Sequence, residues 1–311
     1  MLFLELLLLA LGFFLLVKGA DWFVEGASGI ADKFGIPQLV IGLTIVAMGT
    51  SAPETAVSIT AAIKGNADIA VGNVVGSNIL NILIILGISS VITTIAVAKT
   101  TIRYEIPIML VITFLLLTFG AMGGTICLWE GIVLLLCFVL YLLYMFVMIK
   151  RGEMQSDELE NADKPIWKML LAGVVGVALV ILGSDFTVDA ATEIAKMIGL
   201  SDKFIGLTVV ALGTSLPELF TSVIAAKKGK ADIAIGNIVG SNIFNILFVI
   251  GTSALIIPVK FEMSFVVDCL MAVAAGVILW LCTFRKKKLT RVDGIIMLAC
   301  YAAYFGYLLL K

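Results

Sequence analysis

Residues 41–87 read IGLTIVAMGTSAPETAVSITAAIKGNADIAVGNVVGSNILNILIILG, and a second copy follows 164 residues later. The copy, residues 205–251, reads IGLTVVALGTSLPELFTSVIAAKKGKADIAIGNIVGSNIFNILFVIG. The two stretches align without a gap, and 31 of the 47 positions are identical. Self-similarity of this length at a constant offset indicates an internal duplication. The chain is therefore predicted to consist of two halves with the same fold.

The composition assigns both halves to the membrane. Of the 311 residues, 61% are hydrophobic and only 14% are charged, and apolar runs reach the length needed to span a bilayer. We predict an all-α membrane protein with ten transmembrane helices, at residues 2–24, 38–62, 69–93, 104–120, 126–149, 168–190, 203–226, 232–257, 264–284 and 291–310. The first run lacks a basic segment before it and carries Glu5, so it is interpreted as a span and not as a signal peptide.

The hydrophilic stretch between the fifth and sixth segments divides the chain. We predict a first five-helix repeat at residues 1–149, a cytoplasmic linker at 150–167 and a second repeat at 168–311. Because five is odd, the second repeat must enter the membrane from the opposite side, which makes the pair an inverted-topology repeat. Most of the 21 Lys and Arg residues then fall on one side. The positive-inside rule predicts a multi-pass protein of the cell membrane with the linker in the cytoplasm and both termini outside.

Several function classes are disfavoured by the composition. The chain has no histidine, which is the commonest proton carrier and zinc ligand, and no GxxxxGK[ST] motif for phosphate binding. An enzyme is therefore not expected, nor is a cofactor. The net charge of -1 without a basic tail argues against nucleic acid as a partner. The five cysteines lie in or beside apolar runs without CxxC spacing and are interpreted as small core residues.

The first duplicated motif, GTSAPE (residues 49–54) and GTSLPE (residues 213–218), places a carboxylate inside each half's second apolar run. Proline inside a helix removes one hydrogen bond and frees a backbone carbonyl, so Pro53 and Pro217 predict broken helices. Irregular backbone within the membrane is tolerated only where it faces protein or a water-filled cavity. A glutamate buried at that depth is energetically unfavourable, so its presence indicates a function. Two of them at equivalent positions indicate one shared site.

The second motif, GNVVGSNILN and its copy GNIVGSNIFN (residues 236–245), adds neutral oxygens. Asn73, Ser77 and Asn81 are spaced i, i+4, i+8 and share a helix face, as do Thr50, Glu54 and Ser58, and both sets recur in the second half. Such a ring of oxygen ligands with two negative charges suits Ca²⁺ or Na⁺ and not zinc or copper. Two glutamates are neutralised by one Ca²⁺ or by two Na⁺. Competition between the ions favours antiport over cotransport.

These paired motifs closely resemble the two alpha-repeats of the sodium/calcium exchanger family, within the calcium/cation antiporter superfamily. The resemblance covers essentially the whole chain and includes ten helices, external termini and one cytoplasmic linker. It implies that the ion ligands are Ala47 and Ala211 through their carbonyls, and Thr50, Ser51, Glu54, Ser77, Asn81, Thr214, Ser215, Glu218, Ser241 and Asn245.

The resemblance also implies a mechanism, namely electrogenic alternating access with more than two Na⁺ per Ca²⁺, in which the first and sixth helices slide across the other eight. Some relatives, including potassium-dependent exchangers, carry Asp where this chain has Asn245. Exchange without K⁺ is therefore expected. The short linker predicts no large regulatory calcium-binding domain. We expect Ca²⁺ and Na⁺ to be the transported ions, with the bilayer and no partner subunit required for activity.

Three alternatives stay open on the sequence alone. A proton/calcium exchanger could use protonation of Glu54 and Glu218, and the Thr-Ser pairs beside each glutamate favour sodium over it. A potassium-dependent Na⁺/Ca²⁺ exchanger is the second alternative, which the Asn at position 245 disfavours. A calcium-permeable channel would use the same oxygen ligands, although channels usually form the pore on an axis between subunits.

Overall fold

Helices make up almost the whole of the computed structural model, which describes residues 2–65, 68–151, 165–199 and 211–310. The helices of the first half are α1 Leu2–Phe34, α2 Gln38–Thr50, α3 Ala52–Ile63, α4 Ile69–Ile92, α5 Thr101–Gly123 and α6 Leu128–Arg151. Those of the second half are α7 Ile166–Met197, α8 Ala211–Gly213, α9 Leu216–Lys227, α10 Ala231–Ile256, α11 Ser264–Lys286 and α12 Arg291–Leu310.

The two longest helices, α1 and α7, pack against each other along a stripe of glycines. Going up α1, a methyl group added to Gly12, Gly19 or Gly26 would strike the backbone of Gly183, Gly176 or Gly173, in that order. Because the partners descend as the positions ascend, the two helices are antiparallel. Glycine allows such close backbone contact between membrane helices, where packing and not hydrophobicity drives association.

The first GTSxPE motif breaks its helix as predicted. Helix α2 ends at Thr50, α3 begins at Ala52, and the two are bent by 50° at the break. Ser51 has φ −80° and ψ 13° and is therefore not helical. Pro53 stands in the first turn of α3, where its missing N–H has no intrahelical partner to lose. In the second half, α8 ends at Gly213 and α9 begins at Leu216, again with a proline in its first turn.

The helices that follow the broken ones form the centre of the bundle. Nearly every residue of α10 is buried, and α4 is mostly buried as well. Helix α10 packs against α2, with Gly236 and Gly240 close to the backbone of Leu39 and Leu43. A helix that is apolar on all sides is expected at the core of a large bundle, and its few polar side chains must then face one another.

Two short antiparallel ribbons join the halves. Strand β1 (Ile95–Ala96) pairs with β4 (Lys288–Leu289), and β2 (Thr125–Ile126) pairs with β3 (Val259–Lys260). Each ribbon takes one strand from each half. The loops that flank α5 are thereby tied to the loops that flank α11.

The observed helices differ from the predicted spans in number and length. In the part of the chain that the structure describes, seven helices are long and apolar enough to span a membrane, or eight with the bent pair α2–α3. The predicted span at 203–226 falls partly outside the described residues, and α12 stands at the predicted tenth position. Ten spans therefore stay a prediction.

Helices α1 and α7 continue well beyond the predicted ends at residues 24 and 190. Their last turns carry charged residues such as Lys33 and Lys196. Charged residues lower the average hydropathy without ending a helix, so the apolar run is shorter than the helix itself.

The glycine stripe can be tested by Gly19→Ala. A methyl group at this position would lie 2.7 Å from the backbone nitrogen of Val180 and 2.8 Å from the carbonyl oxygen of Gly176, so α1 and α7 must separate. Overpacking of this kind costs about 1–3 kcal/mol. We expect a lower unfolding temperature for the purified variant in detergent. Gly173→Ala is the matched control, because a methyl group there meets nothing within 4 Å. Equal unfolding temperatures for the two variants would contradict the close contact.

Candidate ion-binding site

Two glutamates lie at the centre of the bundle. Glu54 and Glu218 stand in the first turns of α3 and α9, and neither is exposed to solvent. The start of a helix carries a partial positive charge that stabilises a carboxylate. The two side chains are near enough for their charges to repel each other. A pair of buried carboxylates must therefore be compensated by hydrogen-bond donors or by cations.

Each carboxylate accepts a hydrogen bond from the break in the opposite half. Ser51 Oγ donates to Glu218 Oε1 at 2.8 Å, and Ser215 Oγ donates to Glu54 Oε1 at 3.3 Å. The two serines occupy equivalent positions in the GTSxPE motifs. The site is thus assembled from both halves at once, as predicted from the duplicated motif.

Asn73 and Asn237 hold the broken helices in place by hydrogen bonds. Asn73 Nδ2 donates to the Glu54 carbonyl at 3.2 Å and to Ser58 Oγ at 3.0 Å. Asn237 makes the equivalent bonds to the Glu218 carbonyl and to Ser222. These asparagines and serines share a helix face with the glutamates in the sequence, but their side chains bond to one another. They position the carboxylate-bearing turns.

Asn78 and Asn242 join the two halves at the core, and sequence reasoning missed them. Asn78 Nδ2 donates to the Asn242 carbonyl at 3.2 Å, and Asn242 Nδ2 donates to the Asn78 carbonyl at 3.1 Å. Asn242 Oδ1 accepts from Asn81 Nδ2 at 3.0 Å, and Asn78 Oδ1 accepts from Asn245 Nδ2 at 3.3 Å. Both are polar residues inside apolar helices and recur in the duplication, which is the signal that could have identified them.

Four carboxylate and amide oxygens of the site are buried without a hydrogen-bond donor. They are Glu54 Oε2 and Asn81 Oδ1 from the first half and Glu218 Oε2 and Asn245 Oδ1 from the second, and no described residue donates to any of them. The hydroxyl of Thr214 is also buried without a partner among the described residues. The amide nitrogens of Asn81 and Asn245 are held by Asn242 and Asn78, which leaves the oxygens free. Buried polar atoms in native proteins nearly always have a partner, so an unpaired set of acceptors needs a ligand.

The other predicted ligands lie around this set. Ala47 is buried, and its carbonyl accepts from Ser241 Oγ of the opposite half at 3.4 Å. Thr50 Oγ1 lies 3.0 Å from Asn237 Oδ1, and Thr214 lies beside the Glu54 carboxylate. Ser77 is buried without a recorded hydrogen bond among the described residues. Ala211 is the first residue of α8, and its side chain is not among those that the structure describes.

Asn81 and Asn245 each mark a change in helix geometry. A π-helical turn begins at Asn81 and ends at Leu86, and its counterpart runs from Asn245 to Ile250. Wider turns of this kind leave backbone carbonyls poorly bonded and occur often at functional sites. No sequence rule that we used predicts them.

This arrangement suits hard cations. It offers two carboxylates, amide oxygens, hydroxyls and a backbone carbonyl. Oxygen ligands of this kind bind Ca²⁺ and Na⁺. The described residues contain no cluster of three acidic, histidine or cysteine side chains. A cation here is bound mainly by neutral oxygens, which favours reversible binding over permanent retention.

Comparison with known proteins agrees with this chemistry. The family described as "Sodium/calcium exchanger protein" matches residues 4–147 and 168–310, which is most of the chain. The chain belongs to the sodium/calcium exchanger family. It is a membrane protein of the cation/Ca²⁺ antiporter class and not an enzyme, and the family resemblance predicted from the motifs is confirmed.

Similar proteins cover this family member from end to end. The putative antiporter CaxA of Alkalimonas amylolytica is 42% identical, with 94% of this chain and 95% of that protein aligned. The sodium/calcium exchanger MaX1 of Methanosarcina acetivorans is 33% identical over 96% of each. A solved structure of the sodium-calcium exchanger NCX_Mj has a TM-score of 0.86 at 34% identity, covering 99% of this chain and 100% of that one.

The asparagine cluster can be tested by Asn242→Ala in this exchanger-family protein. The variant removes the acceptor for Asn81 Nδ2, so the amide is no longer held with its oxygen toward the glutamates. Loss of one neutral hydrogen bond is worth about 1 kcal/mol, and we expect Ca²⁺ binding about fivefold weaker, measured by equilibrium binding of radioactive Ca²⁺.

The matched control is Ser253→Ala on the same helix, whose hydroxyl bonds only to the Val249 carbonyl. It should bind Ca²⁺ like the unmodified protein. Unchanged affinity in a folded Asn242→Ala variant would show that the cluster does not orient Asn81.

Proposed function

We propose that this protein exchanges Na⁺ for Ca²⁺ across the cell membrane by alternating access, electrogenically and without K⁺. The observation that carries the proposal is the set of four unpaired buried oxygens around two carboxylates contributed by different halves. Membership of the sodium/calcium exchanger family supports the choice of ions.

The charge of the site supports exchange over cotransport. Two ionised glutamates balance one Ca²⁺ or two Na⁺, and both ions need the same oxygens, so their binding is competitive. A carrier that reorients only when its carboxylates are neutralised would return with Na⁺ after releasing Ca²⁺. A third Na⁺ makes each cycle electrogenic, and the Thr-Ser pairs at residues 50–51 and 214–215 supply oxygens for it.

The proposed ligands extend beyond the two glutamates. They are the carbonyls of Ala47 and Ala211, with Thr50, Ser51, Ser77, Asn81, Thr214, Ser215, Ser241 and Asn245. Asn245 carries no charge, which supports exchange without K⁺. The Ser51–Glu218 and Ser215–Glu54 bonds support a shared site, because each half supplies the donors for the other.

We infer that the chain forms two inverted five-helix repeats, at residues 1–149 and 168–311, with ten spans in all. The antiparallel contact of α1 with α7, which are equivalent in the duplication, supports this topology. The reciprocal bonds between Asn78 and Asn242 also support a twofold axis in the membrane plane. The proposed orientation places residues 150–167 in the cytoplasm and both termini outside, and a monomer suffices because the site is complete within one chain.

Exchange is tested by radioactive Ca²⁺ uptake into liposomes that contain the purified protein. Vesicles loaded with Na⁺ are diluted into Na⁺-free buffer, and valinomycin with K⁺ sets the voltage. We expect uptake that needs internal Na⁺, ignores a pH gradient and is faster when the inside is positive.

Other outcomes would identify the alternatives. Uptake driven by a pH gradient without Na⁺ indicates proton/calcium exchange. Uptake that requires K⁺, tested without valinomycin, indicates the potassium-dependent class. Uptake without either gradient indicates a channel.

The two-carboxylate site is tested by Glu54→Gln and Glu218→Gln. Each amide keeps the shape of the side chain and removes half of the negative charge of the site. We expect loss of Ca²⁺ uptake, by at least about tenfold, in protein that still inserts and elutes as a folded species. Glu193→Gln is the control, since Glu193 is partly exposed and forms an ion pair with Lys196 on its own helix. Normal transport by either site variant would disprove the site.

A further inference from the structure

The duplication repeats a set of charges outside the central site. At the offset of 164 residues, Asp21 corresponds to Asp185, and Lys64 corresponds to Lys228. The acids lie within α1 and α7, and the lysines directly follow α3 and α9. Each half therefore has one acid on a long helix and one lysine ten residues beyond its glutamate.

One of the two cross-half pairs is formed. Lys228 Nζ lies 2.6 Å from Asp21 Oδ1 and 3.1 Å from the Asp21 carbonyl, so the end of α9 is fastened to α1. Both side chains are about one-third exposed. This contact lies in the middle part of α1, between Gly19 and Gly26 of the glycine stripe.

The equivalent pair, Lys64 with Asp185, is not formed. Among the described residues, no ion pair joins Lys64 to Asp185, and Lys64 is exposed. Asp185 instead lines a cavity of about 410 Å³, together with Asp189, Ala56, Gly213 and Thr214. Gly213 and Thr214 belong to the GTSLPE motif, so this cavity adjoins the break in the second half.

The two acids lie at different levels of the α1–α7 pair. Gly12 faces Gly183 and Gly19 faces Gly176, so Asp185 is level with residue 10 of the chain, about eleven residues from Asp21. At 1.5 Å per residue the two acids are roughly 16 Å apart along the helices. Asp21 is thus held by an ion pair, whereas Asp185 faces an open cavity.

We propose that Asp21–Lys228 and Asp185–Lys64 form a reciprocal pair of ion-pair locks, of which only one is closed at a time. The lock at Asp21 closes one access route in the state seen here. When α1 and α7 move relative to α3 and α9, it opens, and Lys64 pairs with Asp185 to close the cavity. This inference rests on the alternating access of the proposed function.

The packing of α1 against α7 is compatible with such a movement. Leu16, Ala20 and Val180 form a small core of their own, against which Leu216, Phe220 and Ile224 of α9 pack. The glycine stripe on these helices presents few side chains that interlock. This part of α1 can therefore shift along α9 without disturbing the main core, which α1 joins further along, at Phe23, Val24, Ala27 and Ala31.

A partly exposed ion pair contributes a modest bias. Such pairs are worth about 0.4–1 kcal/mol, which changes a two-state equilibrium about two- to fivefold. Each lock therefore favours one state without trapping it, as a carrier that cycles requires.

The lock is tested by the reactivity of a cysteine placed in the cavity. Ala56→Cys is introduced into the full chain, and its rate of reaction with an uncharged hydrophilic maleimide is measured in nanodiscs without Ca²⁺ or Na⁺. The chain without Ala56→Cys gives the background of the five native cysteines. Adding Lys228→Gln should close the cavity more often and lower the rate by up to about fivefold.

Four further variants separate the lock from general effects of charge. Lys227→Gln is the matched control, because Lys227 is exposed and forms no ion pair with a described residue; it should not change the rate. Lys64→Gln should not lower the rate, because it weakens only the opposite state. Asp21→Lys alone should lower it, and the exchange Asp21→Lys with Lys228→Asp should restore it.

The outcomes distinguish the lock from the transport function, because labelling needs no ion gradient. If Lys228→Gln and Lys227→Gln react alike in protein that carries out Na⁺/Ca²⁺ exchange in liposomes, the lock is wrong and the exchange function stands. The same conclusion follows if the charge exchange does not restore the rate in a variant with a normal unfolding temperature. A labelling pattern as expected in protein that fails the liposome assay supports the lock and rejects sodium/calcium exchange.

Discussion

Glu54 and Glu218 are buried close together, where water does not screen the charges of the two carboxylates. Much of the fold serves to stabilise this pair. Burying a charge is tolerated only with hydrogen bonds or counter-charges. Two helix starts point at the carboxylates and two serines donate to them, yet one oxygen of each stays without a donor. The protein therefore compensates the pair incompletely, and the proposed cation would supply the remaining compensation. A site with full internal compensation would have no reason to bind an ion.

Incomplete compensation also explains why the neighbouring amides are so firmly held. An asparagine side chain can present either its oxygen or its nitrogen, and only the oxygen can bind a cation. Asn242 accepts from the side-chain nitrogen of Asn81, and Asn78 accepts from that of Asn245, which fixes the direction of both amides. Because those acceptors come from the opposite half, orientation of the ligands and association of the halves are the same event.

The duplicated motifs predicted much of the site because the chemistry is local to them. The break at Ser51, the carboxylates after each break and the meeting of the two halves could be inferred from Pro53, Pro217 and the repeat alone. The roles of Asn78 and Asn242 could not, because they depend on which residue stands opposite in three dimensions. Spacing also grouped Asn73 and Ser58 with the ligands, whereas their side chains bond to each other. Hydropathy located the apolar runs but ended α1 and α7 too early, since it registers charge and not helical continuity.

The interleaving of the halves has a consequence for biosynthesis. A chain emerges from the ribosome with its N-terminal half first, so Glu54, Asn78 and Asn81 enter the bilayer before their partners in the second half have been made. Neither ribbon can form at that stage, since each takes a strand from both halves. The early intermediate must keep its polar groups wet or protonated until translation is almost complete. Maturation therefore ends with the centre of the molecule, and an interrupted translation product is a natural substrate for membrane quality control.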